Sequence, residues 1–231
     1  MSELSLSFVL PMFNEAEGIE STIAKIDLVA KELCNDYEII IVDDASTDAS
    51  ADIVARAAGK NERLSLIRLK ENTKFGGALA KGLYAASKDF IVYTDSDFPI
   101  REKDVEHALR LFDRGADVIN GYSLALKDSS IRRIIVSKVY NLLVQTLFGF
   151  SIRDINSGFK IYRKEVLVGI TLRSKSPFID VEIFAEILRR GFKVAQYGLL
   201  FQLRTKGAST ISRPSVIMRT FFDMIRYRFF R

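Results

Sequence analysis

Phe90-Ile91-Val92-Tyr93-Thr94 runs directly into Asp95-Ser96-Asp97. That switch, from a short aromatic and β-branched segment to a pair of carboxylates, is the pattern from which the rest of the chain can be read. The same punctuation occurs three times upstream. A strand-like run at 5–10 leads to Asn14-Glu15, one at 38–42 to Asp43-Asp44, and one at 65–69 to Asn72. Helical patterns fill the intervals at 16–33, 48–58, 77–87 and 102–114, and a fifth strand-like run follows at 117–120. Alternation of this kind builds βαβ units and a mostly parallel, Rossmann-like sheet flanked by helices, an α/β fold. The carboxyl ends of such strands lie along one edge, where open α/β sheets bind ligands, so the four polar clusters are expected to converge there.

The pattern changes after Gly121. A helix is expected over 129–148, capped by Ser129 or Ser130. Its Arg133, Ser137, Asn141 and Gln145 recur every four residues and form one polar stripe. A polar turn, Arg153-Asp154-Ile155-Asn156-Ser157-Gly158-Phe159-Lys160, enters a strand at 160–162; a helix at 181–190 and a strand at 193–203 complete the pattern. Without repeats or low-complexity linkers, this reads as one domain over 1–205, in two halves at 1–121 and 122–205, followed by a tail at 206–231.

Length and composition agree: 231 residues with 48% hydrophobic content bury one sizeable core. The net charge of +5 is too modest to demand nucleic acid, and it is concentrated in the tail, where six basic residues face one acidic residue, Asp223. A single cysteine, Cys34, excludes an internal disulfide and a Cys-based zinc site, and a single histidine, His107, counts against His-based metal sites and Ser-His chemistry, leaving hard oxygen ligands. Cys34 is expected to be a buried helix residue and His107 a surface one. The early Glu3 and short apolar run are not a signal peptide, so a cytoplasmic start is expected. No apolar run is long enough to span a bilayer, so any membrane contact is expected to be peripheral, on the cytoplasmic face.

Two carboxylates so close at a sheet edge suit Mg²⁺ or Mn²⁺, completed by diphosphate oxygens and water; the plain alternative is a helix cap and a solvated turn. Asp43 and Asp44 offer acceptors for a base N–H and ribose hydroxyls, or serve turn chemistry alone, with Asp48 as the next N-cap. Asn72 and the adjacent Gly76 and Gly77 open a helix where backbone and free N–H groups can approach a diphosphate. Neither the Gly-Lys-Ser/Thr spacing of a P-loop nor a G-x-G-x-x-G after the first strand is present, which removes the main support for ATPase and dinucleotide readings.

Taken in order, Pro11-x-x-Asn14-Glu15, Val42-Asp43-Asp44-x-Ser46-x-Asp48, Gly76-Gly77-Ala78, Asp95-x-Asp97 and Arg153-Asp154-x-x-Ser157-Gly158-Phe159-Lys160 resemble family 2 glycosyltransferases of the GT-A fold, in particular the dolichyl/polyprenyl-phosphate mannose and glucose synthases. The resemblance covers roughly 5–205. It implies inverting transfer from a UDP- or GDP-sugar, with the nucleotide across Pro11, Asn14, Glu15, Asp43 and Asp44 and the metal on Asp95 and Asp97. It also implies a lipid-phosphate acceptor met by Arg133 and Ser137, with Asp154, Ser157 and Lys160 on the acceptor side, and a second basic contact to the diphosphate from Arg204 and Lys206. Three departures stand out. Pro99 replaces a frequent Gln, Ala45 replaces a usual Gly and requires an ordinary backbone angle, and the chain ends at Arg231 where relatives often continue into membrane-spanning helices.

A phosphate acceptor needs no strong base. For a glycan hydroxyl, Asp180 is the candidate base, or equally the N-cap of its helix. The tail at 215–231 reads as an imperfect amphipathic helix for anionic lipid, for the protein's own body or for a dimer partner. A catalytically idle nucleotide-binding scaffold and a sugar-1-phosphate nucleotidyltransferase are the competing functions. Acidic and amide groups after the first strand, in place of a Gly-rich basic loop, count against the latter.

Overall fold

The computed structural model describes residues 4–124, 131–201 and 214–230. Among the described residues, seven strands form one sheet: β1 (Ser5–Met12), β2 (Asp36–Asp43), β3 (Leu64–Arg68), β4 (Phe90–Thr94), β5 (Val118–Ser123), β6 (Phe159–Arg163) and β7 (Val194–Leu199). The helices are α1 (Ile19–Leu33), α2 (Ser50–Ala58), α3 (Lys74–Ala85), α4 (Glu102–Leu109), α5 (Ile131–Phe148), α6 (Lys164–Leu167), α7 (Ile179–Arg189) and α8 (Pro214–Phe230). The spatial order is β3-β2-β1-β4-β6-β5-β7. All neighbours pair parallel except β6, which runs antiparallel to both β4 and β5.

Period-two alternation divides the core. Leu6, Phe8, Leu10, Ile39, Ile41, Val92, Phe159 and Ile161 face α1, α2 and α4, while Val9, Ile40, Val42, Ile91, Tyr93, Val118 and Tyr162 face α3, α5 and α7. Gly82 lets α3 lie close to the sheet, because a Cβ there would come 2.5 Å from Val9 Cγ1.

The antiparallel β6 matters most for the site. Its amino-terminal end sits at the same edge as the carboxyl ends of its neighbours, with Thr94 paired to Phe159. The 153–158 turn is thereby brought beside the Asp95-Ser96-Asp97 turn. Pro11 also finds its place: β4 pairs with β1 only as far as Val9, so Pro11, which has no N–H to donate, lies beyond that ladder.

Several element expectations shift. The helix expected over 102–114 breaks after Leu109 into a separate 3-10 turn at Phe112–Arg114, closed by the left-handed Gly115. Asp48 is not the N-cap of α2; that position is Ala49, and Asp48 instead accepts from the Ser50 backbone N–H at 2.9 Å. Asp180 is not an N-cap either, because α7 begins at Ile179 after Phe178. Cys34 is the half-buried C-cap of α1 rather than a buried helix residue, whereas His107 is exposed as expected. The expected caps Ser129 and Ser130 lie outside the described residues. Among the described residues, no helix is long and apolar enough to cross a membrane.

Candidate active site

The loops leaving β1 and β2 are stitched into one rim. Asn14 N–H donates to Ser46 Oγ (2.9 Å), Glu15 N–H to Ser50 Oγ (2.7 Å), Ala16 N–H to Asp48 Oδ2 (3.2 Å) and Thr47 N–H to Asn14 Oδ1 (2.8 Å). Asp43 is fully buried; its Oδ1 accepts from Ser46 N–H at 3.1 Å, and its Oδ2 lies 3.8 Å from Arg68 Nε without a hydrogen bond. Asp44 turns toward α3, where its Oδ1 accepts from both Thr73 N–H (2.6 Å) and Thr73 Oγ1 (2.9 Å). Burial raises its pKa while those Thr73 bonds oppose the rise. Each aspartate therefore has an assigned structural partner, and Asp43 Oδ2 is a buried oxygen without a hydrogen bond.

Asn72 accepts from Lys74 N–H at 3.2 Å. Gly76 departs from the expectation of a free N–H group. Gly76 N–H donates to Lys175 O at 3.0 Å, and a Cβ at Gly76 would meet Ser174 O at 2.4 Å, so its close approach is to the protein's own 174–176 segment. Glu182, nearly fully buried, fixes that segment by accepting from Arg173 and Ser174 N–H. A Cβ at Gly77 would meet Thr73 Oγ1 at 2.5 Å.

Asp95 and Asp97 are both half-buried at the head of β4. The turn that carries them closes with Phe98 N–H donating to Asp95 O at 3.0 Å, and buried Phe98 anchors it in the core. Tyr93 Oη donates to Asp95 Oδ1 at 3.1 Å. From the turn entering β6, Gly158 O accepts Asp95 N–H at 3.3 Å, and a Cβ at Gly158 would meet Asp95 Oδ2 at 2.1 Å. Among the described residues no group of three or more His, Cys, Asp or Glu side chains is gathered as for a metal. Two carboxylate residues at an open edge fit a hard cation that takes its remaining ligands from diphosphate and water.

The residues expected on the acceptor side divide. Ser137, half-buried on α5, lies 3.4 Å from Asn141 Nδ2. Asn141 in turn accepts from Ile155 N–H at 3.3 Å, so the polar stripe partly serves to hold the 153–158 turn. Asp154 shapes that turn, its carbonyl accepting Ser157 N–H at 2.8 Å. Ser157 and Lys160 are buried and present no group to solvent: Ser157 Oγ donates to Gly121 O at 2.5 Å, while Lys160 Nζ donates to Ser157 O at 2.6 Å and pairs with Asp180 Oδ1 at 3.1 Å. Asp180 is itself fully buried, and its pKa is pushed up to about 6, chiefly by burial, against the pull of Lys160. The Arg133 side chain, and Arg204 and Lys206 entirely, lie outside the described residues.

Among the described residues, five non-glycine positions have left-handed backbone: Asn14 (φ 55°), Ala45 (φ 58°), Lys74 (φ 68°), Phe98 (φ 40°) and Asp154 (φ 48°). All five sit at this one edge, four in its loops and Lys74 at the first position of α3. The angle at Ala45 is thus not ordinary, which explains the glycine in the resembling pattern. Strain concentrated at one edge is characteristic of sites whose geometry matters more than local stability. Sequence reasoning passed over Tyr93, Thr73 and Gly158 as site residues; the first two read as ordinary strand and helix-start residues, and Gly158 gains its meaning only from the antiparallel pairing of β6.

Known proteins share the fold that carries these loops. The fold is similar to that of glucosyl-3-phosphoglycerate synthase from Mycobacterium tuberculosis, solved in complex with Mn²⁺, UDP-glucose and phosphoglyceric acid (TM-score 0.74, 19% identity, 97% of this chain and 79% of that one). It is also similar to mannosyl-3-phosphoglycerate synthase from Rubrobacter xylanophilus (TM-score 0.70, 18% identity, 97% and 74%). In sequence, the chain is 27% identical to an undecaprenyl-phosphate 4-deoxy-4-formamido-L-arabinose transferase of Serratia proteamaculans, over 76% of this chain and 54% of that protein. It is 28% identical to glycosyltransferase AglD of Haloferax volcanii, over 84% and 32%. The chain spans about half the length of the undecaprenyl-phosphate transferase it matches. Residues 7–170, most of the chain from within β1 to beyond β6, match the description Glycosyl transferase family 2, and the protein is a member of that family.

Proposed function

We propose that the protein transfers a hexose, with inversion, from a UDP- or GDP-sugar to a polyprenyl phosphate at the carboxyl edge of the sheet. The observation that carries the reading is the Asp95-Ser96-Asp97 turn, whose first carboxylate is oriented by Tyr93 and set against Gly158. Relatives named for undecaprenyl-phosphate sugar transfer support the acceptor, and a similar fold crystallised with Mn²⁺ and UDP-glucose supports the donor.

In this reading the rim of Pro11, Asn14, Glu15, Asp43 and Asp44, with Asn72 and Gly77 beside it and Arg204 beyond β7, holds the nucleotide diphosphate. Asp95 and Asp97 would hold Mg²⁺ or Mn²⁺, which would supply Lewis-acid stabilisation of the charge that grows on the leaving diphosphate. An acceptor phosphate oxygen forms the new bond to the anomeric carbon from the opposite face, and the nucleoside diphosphate departs with the electron pair of the broken C–O bond. Arg133 and Ser137 on α5, with Asp154 of the neighbouring turn, are assigned to the acceptor, because a guanidinium grips phosphate through two hydrogen bonds. The acceptor phosphate is already anionic near neutral pH, so no side chain has to remove a proton. Incubation with UDP- and GDP-hexoses and Mn²⁺, with and without polyprenyl phosphate, tests this. Lipid-linked sugar is expected, and transfer only to a glycan hydroxyl would refute the acceptor assignment.

We assign α8 to the cytoplasmic surface of an anionic membrane. The broad apolar face expected of the tail is split: Thr220, Met224 and Tyr227 dock on the body, with Tyr227 Oη donating to Glu186 at 2.9 Å, whereas Met218, Phe221, Phe222 and Phe229 form an exposed stripe. Exposed Arg219 and Arg226 border that stripe on one side and Arg228 on the other, a composition suited to lipid headgroups. Phe222→Ser/Phe229→Ser is expected to abolish flotation with phosphatidylglycerol vesicles without lowering the melting temperature. Unchanged flotation would dismiss the membrane role.

A further inference from the structure

Directly behind Asp95 lies a chain of buried polar groups that the proposed chemistry does not use. Tyr93, Lys160 and Asp180 are each at most 1% exposed. Antiparallel pairing sets Tyr93 opposite Lys160, with the ammonium 5.1 Å from the ring centroid. Lys160 Nζ then reaches Asp180 Oδ1 on α7 (3.1 Å) and Ser157 O (2.6 Å). The next residue after Ser157 is Gly158, where a Cβ would meet Asp95 Oδ2 at 2.1 Å. One buried ammonium therefore restrains Asp95 from two sides, through the Tyr93 ring and through the 154–158 turn.

We infer that Tyr93, Lys160 and Asp180 are positioning residues that fix the Asp95 carboxylate for its cation, and that Asp180 acts through Lys160 rather than on the substrate. The inference rests on the reading of Asp95 and Asp97 as a cation site. An aspartate χ2 is a broad torsion with weak intrinsic preference; a hydroxyl donating to Oδ1 selects one orientation, and a cation demanding regular geometry needs that selection. Stability alone does not call for the ion pair, since a buried pair replaced by apolar residues of similar volume commonly leaves a fold as stable or more so. Nor does Asp180 satisfy itself well here: neither of its oxygens has an aligned hydrogen bond despite the nearby ammonium. Its place in the molecule is accounted for by holding Lys160 under Tyr93.

The experiment measures Mn²⁺ binding to the full chain by loss of the free-ion electron paramagnetic resonance signal, in the presence of UDP and separately of GDP, alongside thermal unfolding. Tyr93→Phe keeps the ring and removes one bond to a charged group; Mn²⁺ affinity is expected to fall about tenfold, the ratio for a loss of about 1.4 kcal/mol, with the melting temperature nearly unchanged. Lys160→Met alone should lower the melting temperature by stranding Asp180. The double variant Lys160→Met/Asp180→Leu should recover that stability while Mn²⁺ affinity remains about tenfold weak. A double variant with wild-type Mn²⁺ affinity, or an unaffected Tyr93→Phe, overturns the inference; should the double variant fail to fold, Tyr93→Phe decides it. Wild-type protein that binds no Mn²⁺ with either nucleotide overturns the cation reading beneath it, a result distinct from the other two.

Discussion

Gly158→Ala is the smallest change that addresses the site directly. The position has no left-handed backbone requirement, so alanine is admissible to the chain itself. The added methyl, however, would lie 2.1 Å from Asp95 Oδ2 and 2.5 Å from its Cγ. Carbon–oxygen contacts settle at about 3.3 Å or more, so the carboxylate must retreat by roughly 1 Å. Asp95 is half-buried and its side chain can rotate, so the cost to folding is modest, on the order of 1 kcal/mol. The cost to function is expected to be larger: displacement by about 1 Å at a reacting centre lowers turnover by about 10²-fold. Steady-state kinetics over a Mn²⁺ series, with urea unfolding in parallel, measures both quantities. A Gly158→Ala enzyme with wild-type kcat/KM and metal dependence would refute the claim that the β6 turn positions Asp95.

Ala45→Gly should stabilise the fold by about 1 kcal/mol in urea unfolding, because it relieves left-handed strain at φ 58°, partly offset by the greater chain entropy of glycine. Asp97→Ala is expected to lower turnover by about 10³-fold and stability by less than about 1 kcal/mol; near-wild-type activity, persisting with the metal chelated, would exclude the cation mechanism. Stability should also depend on pH through Asp180. Its carboxyl is raised from the ordinary 3.8 to about 6, so the folded state holds the proton more tightly. The contribution is present in full below about pH 4 and is lost as pH rises through about 6, on the order of 3 kcal/mol. Unfolding curves at several pH values should show this slope in the wild type and not in Lys160→Met/Asp180→Leu.

The parts of this protein that were legible in its sequence are those fixed by local pattern. Period two and the polar residues closing each strand located β1 to β5, and the order of the motifs pointed to the family, because a βαβ unit carries its own signals in adjacent residues. What escaped was set by pairing between distant segments. Nothing in 153–163 announces that β6 runs antiparallel between β4 and β5, yet that one choice turns Gly158 into the wall behind Asp95, and Lys160 from an acceptor contact into a buried ion-pair partner. Charge alone misled in the same way at Asp180: an acidic residue at a helix start reads equally as a cap or a base, and only its burial against Lys160 distinguishes a third role. The tail was ambiguous because an apolar arc does not reveal which part of it docks. Met224 and Phe222 are equivalent in a hydrophobicity pattern, and the body of the protein is what makes the first a core residue and leaves the second to face outward. Motif order therefore identifies the chemistry, while the strand register determines which of the motif residues are placed to take part in it.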